Sequence, residues 1–75
     1  MPEGPLTRRQ RQVLQLIAEG RPMKEIGEIL GISVRTVEFH KNAIMDQLGY
    51  RSTAELTRYA LDRGIAKDRG LSNNG

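Results

Sequence analysis

The residues best placed to do chemistry lie in one stretch, Val34 to Leu48. With side chains about 100° apart around a helix, Ile44 and Leu48 fall close to Val37 in an apolar stripe, with Val34 and Met45 on its shoulder. Phe39 lies roughly 200° from Val37, on the opposite face, flanked by Arg35, Glu38, Asn42 and Asp46. A solvated face more often interleaves Glu, Lys and Ala. One large apolar ring among directional hydrogen-bonding groups suits contact with another molecule.

Local signals predict the elements that must hold this face in place. Thr7 and Gln10 have the spacing of a capping box at the start of a first helix, with Leu6 as its hydrophobic staple. Val13, Leu14, Ile17 and Ala18 follow at helical spacing, and Gly20 ends the helix. Arg8, Arg9 and Arg11 crowd the positive end of the helix dipole, as a solvated face or as a flank turned toward phosphate. A second helix opens with Pro22 in its first turn and turns Met23, Ile26 and Leu30 inward. Gly27 in its interior costs about 1 kcal/mol against Ala, which makes sense where a neighbouring helix crosses closely. Gly31 stops this helix and Ser33 caps the third, the outline of a helix-turn-helix. After Gly49, Ser52 and Glu55 form a second capping box for a fourth helix ended by Gly64. Leu56, Tyr59 and Ala60 share one of its faces, and Thr57 and Leu61 another. The expectation is an all-α domain over 6–65, with a flexible lead-in or linker over 1–5 and a disordered tail over 66–75.

Composition narrows the function classes. The 75 residues allow one small domain, near the lower limit for folding without staples. There is no Cys, so neither a disulfide framework nor a thiolate zinc site is available. A net charge of +3 favours an anionic partner, nucleic acid first. No apolar run approaches the ~18 residues of a membrane span, so a soluble, cytoplasmic chain without membrane contact is expected. With one His and no evident cluster of polar groups, catalysis is the class with least support, and no metal or cofactor is expected.

The string from LTRRQRQVLQLIAEG through KEIGEILGIS and TVEFH to TAELTRYALDRGI resembles the LuxR-type helix-turn-helix domain. That domain also forms the output half of NarL/FixJ-type response regulators and the stand-alone GerE-type regulators. The likeness covers Leu6 to Ile65 and keeps the I-S-x-x-T-V-x-x-H spacing of Ile32 to His40. Two departures stand out: Pro22-Met23 where a Ser-Asn pair is common, and Thr53 where many members carry Arg or Lys. The resemblance implies a four-helix domain that binds double-stranded DNA in a sequence-specific way, with the third helix in the major groove. It also implies a homodimer on DNA paired through the fourth helix, with RNA polymerase and an upstream receiver or sensor domain as further partners. No such upstream domain is legible in these residues. Either the domain stands alone or its sensing half lies upstream, and the likeness to output domains favours the second.

Carried over by position, the family's base-reading residues fall on Glu38, Phe39 and Asn42. Glu38 could accept from a cytosine amino group, Asn42 could pair with adenine, and Phe39 could lie against a thymine methyl. The bland alternatives are a ring folded over a neighbouring helix for Phe39 and solvated polar groups for Glu38 and Asn42. Phosphate contacts fall on Arg35, Thr36, His40 and Lys41 of the third helix, with Lys24 before it and Arg51 after it. Thr36, in the first turn, is expected to aim its hydroxyl and N–H together at an anion. Val34 and Val37 are expected to pack. Ala54, Thr57, Arg58 and Leu61 would line the dimer seam, and their alternative is plain exposure. A second class of reading is a helical protein-interaction module that inserts Phe39 into a partner's groove.

Overall fold

A computed structural model describes residues 5–66. It contains α1 (Arg8–Ala18), α2 (Met23–Leu30), α3 (Val34–Leu48) and α4 (Thr53–Asp62). Among the described residues there is no strand, and no helix is long and apolar enough to cross a membrane. The expected lead-in and tail lie outside the described residues, apart from Pro5 and Ala66. Ala66 corrects the expected boundary by one residue. It is buried, and its N–H donates to the Ala60 carbonyl at 3.2 Å.

α1 is the central element. The Gln10 N–H donates to Thr7 Oγ1 at 3.1 Å while the Thr7 N–H donates to Gln10 Oε1 at 2.9 Å, so two otherwise orphaned donors are satisfied reciprocally. Val13, Leu14 and Ile17 then enter the core with Leu6 beside them. The other three helices pack against α1, and α2 also packs against α3. Ile26 of α2, Val37 and Ile44 of α3, and Leu56 and Ala60 of α4 complete the interior. Among the described residues no polar or charged side chain is buried, so the core is held by aliphatic packing alone.

α2 departs from expectation in two ways. Pro22 does not sit in the first turn: with φ −68° and ψ 155° it is the extended residue just outside the helix and provides no side-chain cap. Arg21 spans this start instead, donating to Glu19 Oε1 at 3.0 Å and to Glu25 Oε2. Hydrogen bonding to Glu19, then to Glu25, raises the Arg21 guanidinium above its ordinary value. The second departure is Gly27. It is crowded by the turn that follows α2 and not by a crossing helix, because a Cβ there would stand 2.6 Å from the Ile32 carbonyl oxygen. That turn closes with the Ile32 N–H donating to the Gly27 carbonyl at 2.9 Å, past Gly31 at φ +72°. The turn therefore rests directly on the backbone of α2 and fixes the angle at which α3 leaves.

Candidate nucleic-acid interface

α3 starts at Ser33, whose Oγ accepts from the Thr36 N–H at 3.1 Å and shares a hydrogen bond with Thr36 Oγ1 at 3.0 Å. Both polar groups of Thr36 are thus drawn into the cap. This corrects the expectation that its hydroxyl and N–H point outward together, since an N–H satisfied by the cap is not spare for an anion. The helix runs 15 residues to Gly49, or about 22 Å at ~1.5 Å per residue.

Val37 and Ile44 are fully buried and hold one side of α3 to the core. Opposite them Arg35, Glu38, Phe39, Asn42 and Asp46 are all exposed. Phe39 is 67% exposed, the most open of the large apolar side chains among the described residues. It does not fold over a neighbouring helix. Its ring meets the half-buried ring of His40 at 5.8 Å between centroids and 67° between planes. Val34 is 40% exposed, against the expectation that it packs. As the first residue of α3 it has no preceding turn beside it to close the stripe.

The expected phosphate contacts are spread along and beyond this helix. Arg35 is exposed and Lys41 half-buried on α3, while Lys24 and Arg51 are exposed on either side of it in sequence. None of these four makes an ion pair among the described residues. Two other cations are engaged: Arg21 with two glutamates, and Arg58 Nε with Asp62 Oδ2 at 3.5 Å. On α3 itself an exposed cation without an ion pair, Arg35, stands in a solvent-facing row of polar groups, chemistry suited to touching an anion.

On α4, Ala54 and Arg58 are exposed on the side away from the buried Leu56 and Ala60, while Thr57 is half-buried beside that side and Leu61 is half-buried against the core. The Glu55 carboxylate accepts from the Arg51 N–H at 2.7 Å and from the Ser52 N–H at 3.1 Å. These backbone donors, Arg51 first, hold it below the usual carboxylate range. Sequence reasoning missed the cluster beside it. The Tyr50 and Tyr59 rings meet edge to face at 6.0 Å, and the Arg63 guanidinium lies 4.9 Å from the centre of the Tyr59 ring. All three line an open hollow of about 470 Å³. The four-residue spacing of Tyr59 and Arg63 could have marked that pair, but no periodic signal links Tyr50, in the α3–α4 connection, to Tyr59.

Residues 4–60 match the family described as bacterial regulatory proteins, luxR family. The chain is 50% identical over 66 residues to the transcriptional regulatory protein MctR of Rhizobium johnstonii, spanning 88% of this chain and 31% of that protein. It is 50% identical over 60 residues to the oxygen regulatory protein NreC of Staphylococcus aureus, spanning 80% and 28%. A solved structure of the Vibrio cholerae VqmA dimer in the absence of target DNA, a LuxR-type receptor, superposes with a TM-score of 0.74 at 33% identity. That match covers 91% of this chain and 32% of the other. The chain therefore spans about a third of the length of these relatives.

Proposed function

Because this chain belongs to the luxR family of bacterial regulatory proteins, we propose that it is the DNA-binding output domain of a transcription regulator, with the outer face of α3 laid along the major groove. The observation that carries this reading is the two-sided build of α3. Its inner side is sealed by Val37 and Ile44, and its outer side presents Arg35, Glu38, Phe39 and Asn42 to solvent. A helix fits the major groove, and side chains of these types suit base edges.

Glu38, Phe39 and Asn42 are the base readers in this arrangement. Arg35, Lys41, Lys24 and Arg51 fix the register on phosphates without carrying sequence information. Thr36 and His40 act on the same backbone through their position, Thr36 through the cap it stabilises. Two copies pair through Ala54, Thr57, Arg58 and Leu61 of α4 on an inverted repeat. One short helix per subunit buries little area, so DNA has to supply much of the pairing energy. In the longer regulator the remaining length holds a receiver or sensor domain, and RNA polymerase is the downstream partner.

Selection from a random duplex pool, followed by salt titration of the winning site, tests the reading. An inverted repeat should emerge, and affinity should fall steeply with salt, by about 0.9 in log–log slope per phosphate neutralised. A salt-tolerant complex without base preference would instead point to a protein groove that takes Phe39.

A further inference from the structure

We propose that the seam between α1 and the end of α4 is a docking groove for an acidic peptide segment of a partner protein. It is a surface separate from the outer face of α3, because no residue of α2 or α3 lines it.

One stripe of α1 builds the first wall. Arg8 is followed at three, four and seven residues by Arg11, Gln12 and Gln15, a spacing that puts all four on one face of the helix. That face is turned away from the buried Val13, Leu14 and Ile17. Gly64, at φ +71°, and Ile65, just past α4, form the other wall of a hollow of about 340 Å³. Arg11 and Ile65 also line a second hollow, of about 180 Å³, where Leu6, Tyr59 and Arg63 meet. The two hollows make one groove.

Charge and floor choose the occupant. Three arginines line the groove and, among the described residues, no carboxylate does. Arg8 and Arg63 are exposed and make no ion pair among the described residues. The first turn of α1 holds no acidic residue, so Arg8 stands uncompensated at the positive end of the helix dipole. An arriving carboxylate offsets both charges at once. The Arg63 guanidinium lies 4.9 Å from the centre of the Tyr59 ring, a contact that steadies the cation and leaves its N–H edge for a carboxylate. Between the arginines the surface is apolar, with Leu6 buried and Tyr59 and Ile65 half-buried. An extended peptide of alternating acidic and apolar residues lays one set of side chains on that floor and turns the other to the arginines. A DNA backbone supplies charge but nothing apolar to cover Ile65. Position also separates the groove from DNA. Arg51, the proposed phosphate contact, precedes α4, whereas Arg63 follows its ten residues, or about 15 Å of helix.

The test titrates the isotope-labelled chain with an acetylated, amidated hexapeptide in which Glu and Leu alternate, and with the same peptide carrying Gln for Glu. The expected result is saturable movement of the amide resonances of Arg8, Gln12, Gln15 and Ile65, with those of Glu38, Phe39 and Asn42 unmoved. The Gln peptide should bind about tenfold more weakly, as for three exposed charge pairs lost. Arg8→Gln and Arg63→Gln should each weaken binding about threefold. Arg9→Gln removes the same charge from an exposed residue that does not line the groove, and should leave affinity unchanged. Melting temperatures check that the three variants keep the fold. Equal losses from all three reduce the effect to general attraction and overturn the proposal, as does the absence of saturable binding. If duplex DNA moves the groove resonances, phosphate is the occupant; if raising the concentration of the chain alone moves them, a second copy is. Either result overturns the proposal and leaves the reading of α3 standing.

Discussion

α3 and α4 both begin at a serine cap, Ser33 and Ser52, and both reach the core through two fully buried residues, Val37 with Ile44 and Leu56 with Ala60. Their outer sides diverge. On α4 the charges are satisfied at home: Glu55 by the cap, Arg58 by Asp62, and Arg63 just beyond the helix by the Tyr59 ring. What remains there is small or modestly apolar, Ala54, Thr57 and Leu61. On α3, Arg35 is without an ion pair among the described residues and Phe39 stands in water. Equal anchoring with unequal satisfaction divides the labour. That contrast fits the proposed roles, in which α3 leaves interactions for DNA to complete and α4 offers a quiet surface for a like helix.

The comparison breaks first if the anchors are unequal. Ile44→Ala and Leu56→Ala each remove a fully buried side chain from the same core. Each should cost about 2–5 kcal/mol of unfolding free energy, measured by urea denaturation. Loss of DNA affinity at unchanged stability in Ile44→Ala would show that α3 is not anchored as described.

The joints of the two helices offer the next test. α3 leaves a turn seated on Gly27, where a Cβ would meet the Ile32 carbonyl at 2.6 Å. Gly27→Ala should therefore destabilise by about 1–3 kcal/mol through overpacking, despite a helix-propensity gain of about 1 kcal/mol. Thermal melting reads the sign. A stabilised variant would mean that the turn moves aside freely and does not set the angle of α3.

The outer faces can be split by binding measurements. Arg35→Ala and Lys24→Ala should weaken binding to every duplex alike and flatten the log–log salt dependence by roughly one unit each. Asn42→Ala should leave the salt slope in place and shift preference at particular base pairs by about 1–3 kcal/mol. Uniform losses from all three variants would erase the division between positioning and reading.

How much of this was legible from sequence follows from range of interaction. Both capping boxes could be read because Thr7 with Gln10 and Ser52 with Glu55 act across three residues. The outward placement of Phe39 followed from angle alone, since a rigid helix with one apolar stripe has only one opposite side. Periodicity says nothing about where a neighbour's backbone passes, so it points to a crossing helix at Gly27 where the crowding group is the Ile32 carbonyl of the turn. Nor does it show competition for a donor, and the Thr36 N–H is already held by Ser33 Oγ. The Tyr50–Tyr59 contact is not legible in the sequence because the two rings meet only once the α3–α4 connection and α4 have packed together. The roles given to Glu38, Phe39 and Asn42 came from family resemblance. Their exposure is a separate observation from geometry.

The smallest expected effect separates the two caps by acid. At α4 the Glu55 carboxylate holds the Arg51 and Ser52 N–H groups, and these donors lower its pKa in the folded chain. A lowered folded-state pKa means that the unfolded chain takes up the proton more readily. The stabilisation is therefore complete above the unfolded value of about 4.3 and fades as pH falls through the lower folded one. At α3 the cap is Ser33 with Thr36, and neither titrates in this range. Acid should thus fray the start of α4 while the start of α3 holds. The difference is read as faster amide exchange at Arg51 and Ser52 than at Thr36 when pH drops through that window, after correction for intrinsic rates. Glu55→Gln should remove the pH dependence and leave a weaker cap at every pH, because the amide oxygen still accepts but carries no charge. Equal acid sensitivity at the two helix starts would show that the carboxylate is not what distinguishes them.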